Sequence, residues 1–120
     1  MVGDEVLTKF GQVVRQRIRK TDKFCRYGGE EFLLYLHDTT EENANALLED
    51  IKISLESHQN WSNTEATFSA SFSAGVIQVK GERNINKIIK ACDNLLYRAK
   101  STGRGKIETM SFTAYLNENI

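Results

Sequence analysis

The chain has 120 residues, 40% hydrophobic and 27% charged, which is typical of a single soluble domain with a modest core. Its 16 lysines and arginines balance 16 aspartates and glutamates, so the overall charge does not favour binding to DNA or to an anionic membrane. The two cysteines, Cys25 and Cys92, lack metal-site spacing, which favours a reducing cytoplasm over a disulfide framework. No apolar run is long enough to span a bilayer.

The first half of the chain predicts a helix followed by a hairpin. Apolar residues recur at helical spacing over residues 4–20; they are Val6, Leu7, Phe10, Val13, Val14 and Ile18. Asp4 stands at the start of this helix, where a carboxylate can cap free backbone N–H groups. Strands are predicted over residues 23–27 and 31–37. Gly28-Gly29 between them is typical of a tight hairpin, because glycine readily adopts positive φ.

The second half predicts two more helices and two more strands. Thr39 and Glu42 have capping-box spacing, which places a helix after residue 40. Residues 57–65 form a polar connection, and alternation of apolar and small residues over 68–76 predicts a strand. The next apolar stripe predicts a helix that ends at Lys100, and a last strand begins at Lys106 and gives way to a polar tail. This order predicts an α+β fold with a mixed, largely antiparallel sheet and flanking helices.

The stretch RYGGEEF, residues 26–32, is a candidate metal and phosphate site. The bare backbone of Gly28-Gly29 lets an anion approach its N–H groups. Glu30 and Glu31 would repel that anion unless a cation lay between them, and Mg²⁺ commonly bridges carboxylates to phosphates. The alternative is an exposed turn followed by surface charge, and the motif alone does not distinguish the two.

Two further motifs are weaker when taken singly. Lys100 and Arg104, in YRAKSTGRGK, could clamp a triphosphate, but cations at a helix C-terminus also complement the macrodipole. Arg19 and Asp22, in RKTD, could hold a guanine edge and a phosphate, but such a pair is more often a surface ion pair.

Together these motifs resemble the GGDEF domain family of diguanylate cyclases. The family signature G-G-[DE]-E-F reads GGEEF here, preceded by RxxD and followed by YRAKxxGR. GDEVL, SFSAGV and LLYRAKSTGRGK also fall in family order and spacing, so the resemblance covers residues 1–120 as one domain. It implies a fold similar to the palm of nucleotide cyclases and polymerases, and condensation of two GTP molecules into cyclic di-GMP by a homodimer in the cytoplasm.

The resemblance also implies roles for individual residues. Glu30 would bind Mg²⁺ (or Mn²⁺) and help deprotonate the attacking 3′-hydroxyl, with Glu31 as the second carboxylate. Gly28 and Gly29 would bring the backbone against the phosphates. The remaining assignments are Asp4 and Leu7 for guanine, Lys100 and Arg104 for the triphosphate, and Arg19 and Asp22 for the site where cyclic di-GMP binds as an inhibitor.

The chain departs from the family pattern before the GD pair at Gly3-Asp4. The strand that carries another metal-binding aspartate, and the helix segment that carries a guanine-reading asparagine, are missing from these 120 residues. We therefore expect little or no cyclase activity from this polypeptide alone. Loss of an internal strand would also expose sheet edges, which predicts self-association. A longer native protein could add sensory or transmembrane domains.

A different class of function is a receptor that binds cyclic di-GMP through Arg19 and Asp22 without catalysis, and a third is a structural remnant. Retention of Glu30, Glu31, Lys100 and Arg104 favours the enzyme, because a pure receptor would not need them. The truncated beginning favours the receptor for this polypeptide.

Overall fold

The computed structural model describes residues 2–29, 31–58, 71–103 and 105–118. Four helices and four strands occur among them, in the order α1 (Val2–Arg15), β1 (Lys23–Arg26), β2 (Phe32–Tyr35), α2 (Glu41–Glu56), β3 (Ala74–Gln78), α3 (Ile85–Ser101), β4 (Ile107–Ser111) and α4 (Phe112–Glu118). The chain divides into two compact units. The first comprises residues 1–38 and 50–71, and the second comprises residues 39–49 and 72–120.

In the first unit, α1 packs on an antiparallel hairpin through three aromatic rings. The ring of Phe10 lies 5.0 Å from that of Phe32 and 6.0 Å from that of Phe24. Phe24 and Phe32 stack across the hairpin at 5.2 Å. Four aliphatic side chains of this unit are also buried; they are Val13, Val14, Ile51 and Leu55. The helix is thereby fixed to the strands that flank the glycine turn.

Helix α1 ends at Arg15, so the prediction that it continues to residue 20 was wrong. Arg17 N donates to Val14 O at 2.9 Å, a tightened turn that closes the helix. Beyond it, the Asp22 carboxylate accepts the backbone N–H of Arg19 at 2.8 Å. An aspartate that binds a nearby backbone N–H competes with the helical hydrogen bond, which accounts for the early end.

The hairpin turn is wider than the tight turn predicted from its two glycines. The last pair of the strand register is Arg26 with Phe32, so Tyr27, Gly28, Gly29 and Glu31 lie outside the paired strands. The N–H groups of Tyr27 and Gly28 both donate to Glu31 O, at 2.8 and 3.2 Å. Neither Gly28 nor Gly29 has a positive φ, so the left-handed turn was a wrong prediction. Because glycine has no side chain, the peptide groups of Gly28 and Gly29 are exposed in this turn.

In the second unit, β3 and β4 pair in parallel, and α3 connects them. Helix α3 confirms the predicted helix and buries Ala91, Leu95 and Ala99, whereas Ile85, at the start of the predicted apolar stripe, is 65% exposed. The capping residue of α2 is Thr40, whose Oγ1 accepts from Asn43 N at 3.1 Å, and this corrects the predicted cap at Thr39. Residues 68–70 of the predicted third strand lie outside the described residues.

The predicted polar tail is a helix, α4. Its side chains Phe112 and Tyr115 are buried against Ala91, with Ile77 and Met110 packed around them. Asn94 Nδ2 donates to the hydroxyl of Tyr115. The sequence pattern predicted no helix here, because residues 112–118 are too few to show a clear apolar stripe.

Gly75 lies where β3 meets α3 at backbone distance. A Cβ at this position would be 2.4 Å from Leu96 N and 2.5 Å from Cys92 O, both backbone atoms of α3. Neither atom can move without displacing the helix, so only glycine fits.

We expect Gly75→Ala to lower the free energy of unfolding by about 3 kcal/mol or more, because the overlap involves backbone rather than a flexible side chain. Urea unfolding followed by circular dichroism measures the change. The matched control is Gly29→Ala, whose added Cβ meets no atom within 4 Å and should change stability by less than about 1 kcal/mol. Equal stabilities for the two variants would contradict the close approach.

Candidate functional site

A cavity of about 550 Å³ lies in the first unit, between α1 and the hairpin. Its walls carry a carboxylate, two guanidinium groups and an aromatic ring among polar and small residues; the lining residues are Asp4, Leu7, Thr8, Gly11, Gln12, Arg15, Arg26 and Phe32. Such a mixture of apolar wall and convergent polar groups is typical of a small-molecule site.

The helix brings the two predicted base-binding residues to this cavity. Asp4 and Leu7 are three positions apart on α1, so their side chains share one helix face. Asp4 is exposed and lies in the first turn of the helix rather than capping it. A carboxylate beside an apolar side chain can accept hydrogen bonds from the N–H edge of a purine that packs on that side chain. Asp4 and Leu7 therefore line the same cavity, and their roles toward guanine stay a prediction.

The glycine turn places Glu31 beside bare backbone. A Cβ on Gly28 would lie 3.4 Å from Glu31 Oε1, so the carboxylate rests against the glycine. Glu31 is exposed, and its carbonyl holds the turn through Tyr27 and Gly28. An exposed carboxylate oxygen next to accessible peptide groups fits the oxygen ligands that Mg²⁺ requires. Glu30 lies outside the described residues.

The second unit holds the predicted triphosphate cations. Lys100 is exposed in the last turn of α3, and Arg104 lies outside the described residues. The two residues that follow Arg104 in the chain are hydrogen-bonded to neighbouring residues. Gly105 N donates to Ser73 Oγ at 2.9 Å, and Lys106 O accepts from Ala74 N at 3.0 Å. This loop leaves α3 through Gly103, whose φ of 127° suits the predicted helix stop.

Arg19 and Asp22 form a specific ion pair. Asp22 Oδ2 accepts from Arg19 N and Nε, and Oδ1 accepts from Arg19 Nη2 and from His37 N at 2.9 Å. Arg19 Nη2 also donates to His37 O. The Asp22 side chain is 3% exposed, whereas that of Arg19 is 57% exposed. The aspartate is thus enclosed, and it orients a guanidinium that remains open to solvent.

Burial by itself would raise the pKa of Asp22. The hydrogen bonds from the Arg19 backbone and side chain, the His37 backbone N–H and the Arg19 charge outweigh burial, and the pKa lies below the usual 3.8.

Arg15 and Arg26 line the cavity but were missed by sequence reasoning. Arg15 lies 5.4 Å above the Phe24 ring, and a Cβ on Gly11 would come within 2.9 Å of its guanidinium. Arg26 donates to the carbonyls of Gly28 and Gly29. The sequence did contain an indication of the role of Arg26, because the long side chain of an arginine two residues before a glycine pair can reach the carbonyl groups of the turn that follows.

Within the described ranges, no three histidine, cysteine, aspartate or glutamate side chains cluster as a metal site. Burial and the neighbouring charge of Asp93 raise the pKa of Cys92 to about 11, so this thiol stays protonated at neutral pH. None of the helices in the described part of the chain has the length and apolarity needed to cross a membrane.

The family model described as "Diguanylate cyclase, GGDEF domain" matches residues 1–106. The chain is 30% identical over 106 residues to diguanylate cyclase DosC of Escherichia coli, covering 88% of this chain and 23% of DosC. It is 35% identical over 105 residues to diguanylate cyclase DgcM of the same organism, covering 88% of this chain and 25% of DgcM. The chain thus spans about a quarter of the length of these curated relatives.

Solved structures of similar proteins confirm the predicted α+β fold. The diguanylate cyclase SiaD of Pseudomonas aeruginosa, crystallised with its activator SiaC, superposes with a TM-score of 0.75 at 30% identity. That alignment covers 89% of this chain and 41% of SiaD. The active GGEEF domain of a diguanylate cyclase from Vibrio cholerae gives a TM-score of 0.73 at 30% identity, covering 90% of this chain and 68% of that domain.

We expect Asp22→Asn to destabilise the protein by about 2 kcal/mol at pH 7, because the buried carboxylate loses charged hydrogen bonds. Because folding lowers the pKa of Asp22, its carboxylate stabilises the folded state fully at pH values above the unfolded-state pKa of about 3.9. This stabilisation is lost as the pH falls through the pKa of the folded state. Denaturant unfolding should therefore show the difference between Asp22→Asn and the native protein narrowing below about pH 4.

The control for this variant is Asp50→Asn. Asp50 pairs with Arg17 at 2.6 Å, but its side chain is 63% exposed. Its substitution should cost less than about 1 kcal/mol. A difference between Asp22→Asn and the native protein that does not change with pH would contradict the proposed role of the carboxylate.

Proposed function

The chain belongs to the GGDEF family of diguanylate cyclases, and on that basis we propose that residues 1–120 form one domain that binds GTP for its condensation into cyclic di-GMP. Two GTP molecules, one held by each of two facing domains, are joined with release of two pyrophosphates. The domain acts in the cytoplasm in second-messenger signalling.

The observation that carries this proposal is the cavity shared by Asp4, Leu7 and Arg26 beside the glycine turn. Asp4 accepts the N–H groups of the guanine edge, and Leu7 packs against the ring. Gly28 and Gly29 let the phosphates approach the backbone, since neither carries a side chain. Lys100 and Arg104 neutralise the triphosphate, and both can make charge-assisted hydrogen bonds to its oxygens.

Glu30 and Glu31 would hold Mg²⁺ or Mn²⁺ through hard carboxylate oxygens, the ligand class that these ions prefer. When bound, such an ion lowers the pKa of a nearby hydroxyl and neutralises charge that develops on phosphate oxygens. The chain's own contribution to the reaction is the acceptance of the 3′-hydroxyl proton by Glu30 and electrostatic stabilisation by Lys100 and Arg104.

Assembly of two copies supplies the proximity of the two nucleotides, because each half-site holds only one reactant. We expect the 120-residue polypeptide alone to form little or no cyclic di-GMP, because the family's additional metal-binding aspartate has no counterpart in it. We further expect it to self-associate through exposed strand edges.

The alternative function is a receptor for cyclic di-GMP. It is favoured by the 57% exposed Arg19 side chain, which Asp22 and the His37 carbonyl hold in one orientation. A pre-oriented guanidinium loses little conformational entropy on binding a phosphate or a guanine edge.

We expect Lys100→Ala to weaken GTP·Mg²⁺ binding about tenfold, because one charge-assisted contact is lost. Isothermal titration calorimetry measures the affinity. Lys90→Ala is the matched control, since Lys90 is equally exposed on α3 but lies far from its C-terminal turn. An equal loss of affinity in both variants would indicate general charge attraction instead of a triphosphate contact.

Calorimetry with cyclic di-GMP and with GTP·Mg²⁺, on the native chain and on Arg19→Ala, separates the two functions. If the domain is an enzyme, we expect it to bind GTP·Mg²⁺ with an affinity that Arg19→Ala leaves unchanged. If it is a receptor, we expect it to bind cyclic di-GMP alone, and Arg19→Ala should abolish that binding. Turnover of GTP by this polypeptide at the rate of a full-length family domain would overturn the expected inactivity.

A further inference from the structure

Arg26, the last residue of β1, donates side-chain hydrogen bonds to the carbonyl oxygens of the glycine turn. Its Nε donates to Gly29 O at 2.9 Å and to Gly28 O at 3.3 Å, and its Nη2 donates to Gly29 O. One planar guanidinium therefore bridges two successive peptide groups, which a lysine ammonium does less well because it lacks the fixed fork of donors.

The bridge determines where the turn's N–H groups point. In a trans peptide the C=O and N–H groups face opposite ways, so a Gly28 carbonyl directed at Arg26 turns the N–H of Gly29 away from it. On the other side, the N–H groups of Tyr27 and Gly28 are bound to Glu31 O. The turn is thus stabilised by two groups. The Arg26 guanidinium binds its carbonyl oxygens, and the Glu31 carbonyl binds two of its N–H groups.

The same guanidinium lines the cavity with Asp4 and Leu7. Arg26 accordingly connects the wall of the base pocket to the turn whose backbone the phosphates approach. Glycine without a positive φ has no intrinsic preference for this conformation, so an external restraint is needed to keep the peptide groups in one orientation.

We propose that Arg26 is a positioning residue that fixes the orientation of the Gly28–Gly29 peptide groups and thereby affects the affinity for the triphosphate more than the affinity for the base. The effect on nucleotide affinity, called the affinity half of this inference, rests on the proposed function. The orientation of the peptide groups, called the turn half, does not, because it is a property of the nucleotide-free protein.

The test uses Arg26→Ala, Arg26→Lys and the control Lys23→Ala, an exposed cation on the same strand. Amide hydrogen exchange of Tyr27 and Gly28 is measured by NMR in nucleotide-free protein. Affinities for GTP·Mg²⁺ and for guanosine are measured by chemical-shift titration. Guanosine reports on the base pocket, and GTP reports on the pocket together with the turn.

For Arg26→Ala we expect about tenfold faster exchange and about tenfold weaker GTP·Mg²⁺ binding, the effect of losing charged hydrogen bonds. The loss of guanosine affinity should be clearly smaller, because Arg26 is one of several residues that line the base pocket. Arg26→Lys should fall between the native protein and Arg26→Ala, and Lys23→Ala should match the native protein. Unchanged exchange in Arg26→Ala, or a guanosine affinity that falls as far as that for GTP, would overturn the positioning role. Absence of GTP binding by the native chain would overturn the proposed function and the affinity half, while the exchange rates decide the turn half independently.

Discussion

The contact of Phe10 with Phe24 and Phe32 is the interaction on which the candidate site depends. It fastens the middle of α1 to both strands of the hairpin, with ring separations of 5.0 and 6.0 Å. Because a helix is rigid over two turns, fixing Phe10 also fixes Asp4 and Leu7 relative to the hairpin. The cavity between them is a consequence of this packing, and without it the acidic and apolar groups of α1 would have no partner surface.

Two carboxylates in the first unit, Asp22 and Glu31, differ in role because their surroundings differ. Asp22 is enclosed by donors from Arg19 and His37, which lower its pKa and commit both oxygens to the fold. Glu31 is exposed and lies against a glycine, so its oxygens are open to an added cation. The first carboxylate stabilises the connection after α1 and orients Arg19. The second is available for a ligand.

The second unit depends on an equally local constraint. Gly75 allows β3 to approach the backbone of α3, and the pairing of β3 with β4 then anchors the loop that follows the helix. Lys100 and the residues around Arg104 leave from this anchored end. The position of Lys100 is therefore a consequence of packing in this unit, and a substitution at Gly75 would disturb it indirectly.

The sequence by itself determined the family, the α+β class and the two longer helices of the second half. These features depend on residue types at fixed spacing, which local physics and motif order express directly. Tertiary structure decided the rest. The end of α1 followed from the Asp22 carboxylate capturing a backbone N–H, and α4 formed because Phe112 and Tyr115 found a buried surface. The conformation of the glycine turn was set by Arg26 and the Glu31 carbonyl instead of by glycine's own φ preference. Each of these outcomes depends on a partner remote from the pattern or on a side chain reaching back to backbone, and periodicity carries no information about such contacts.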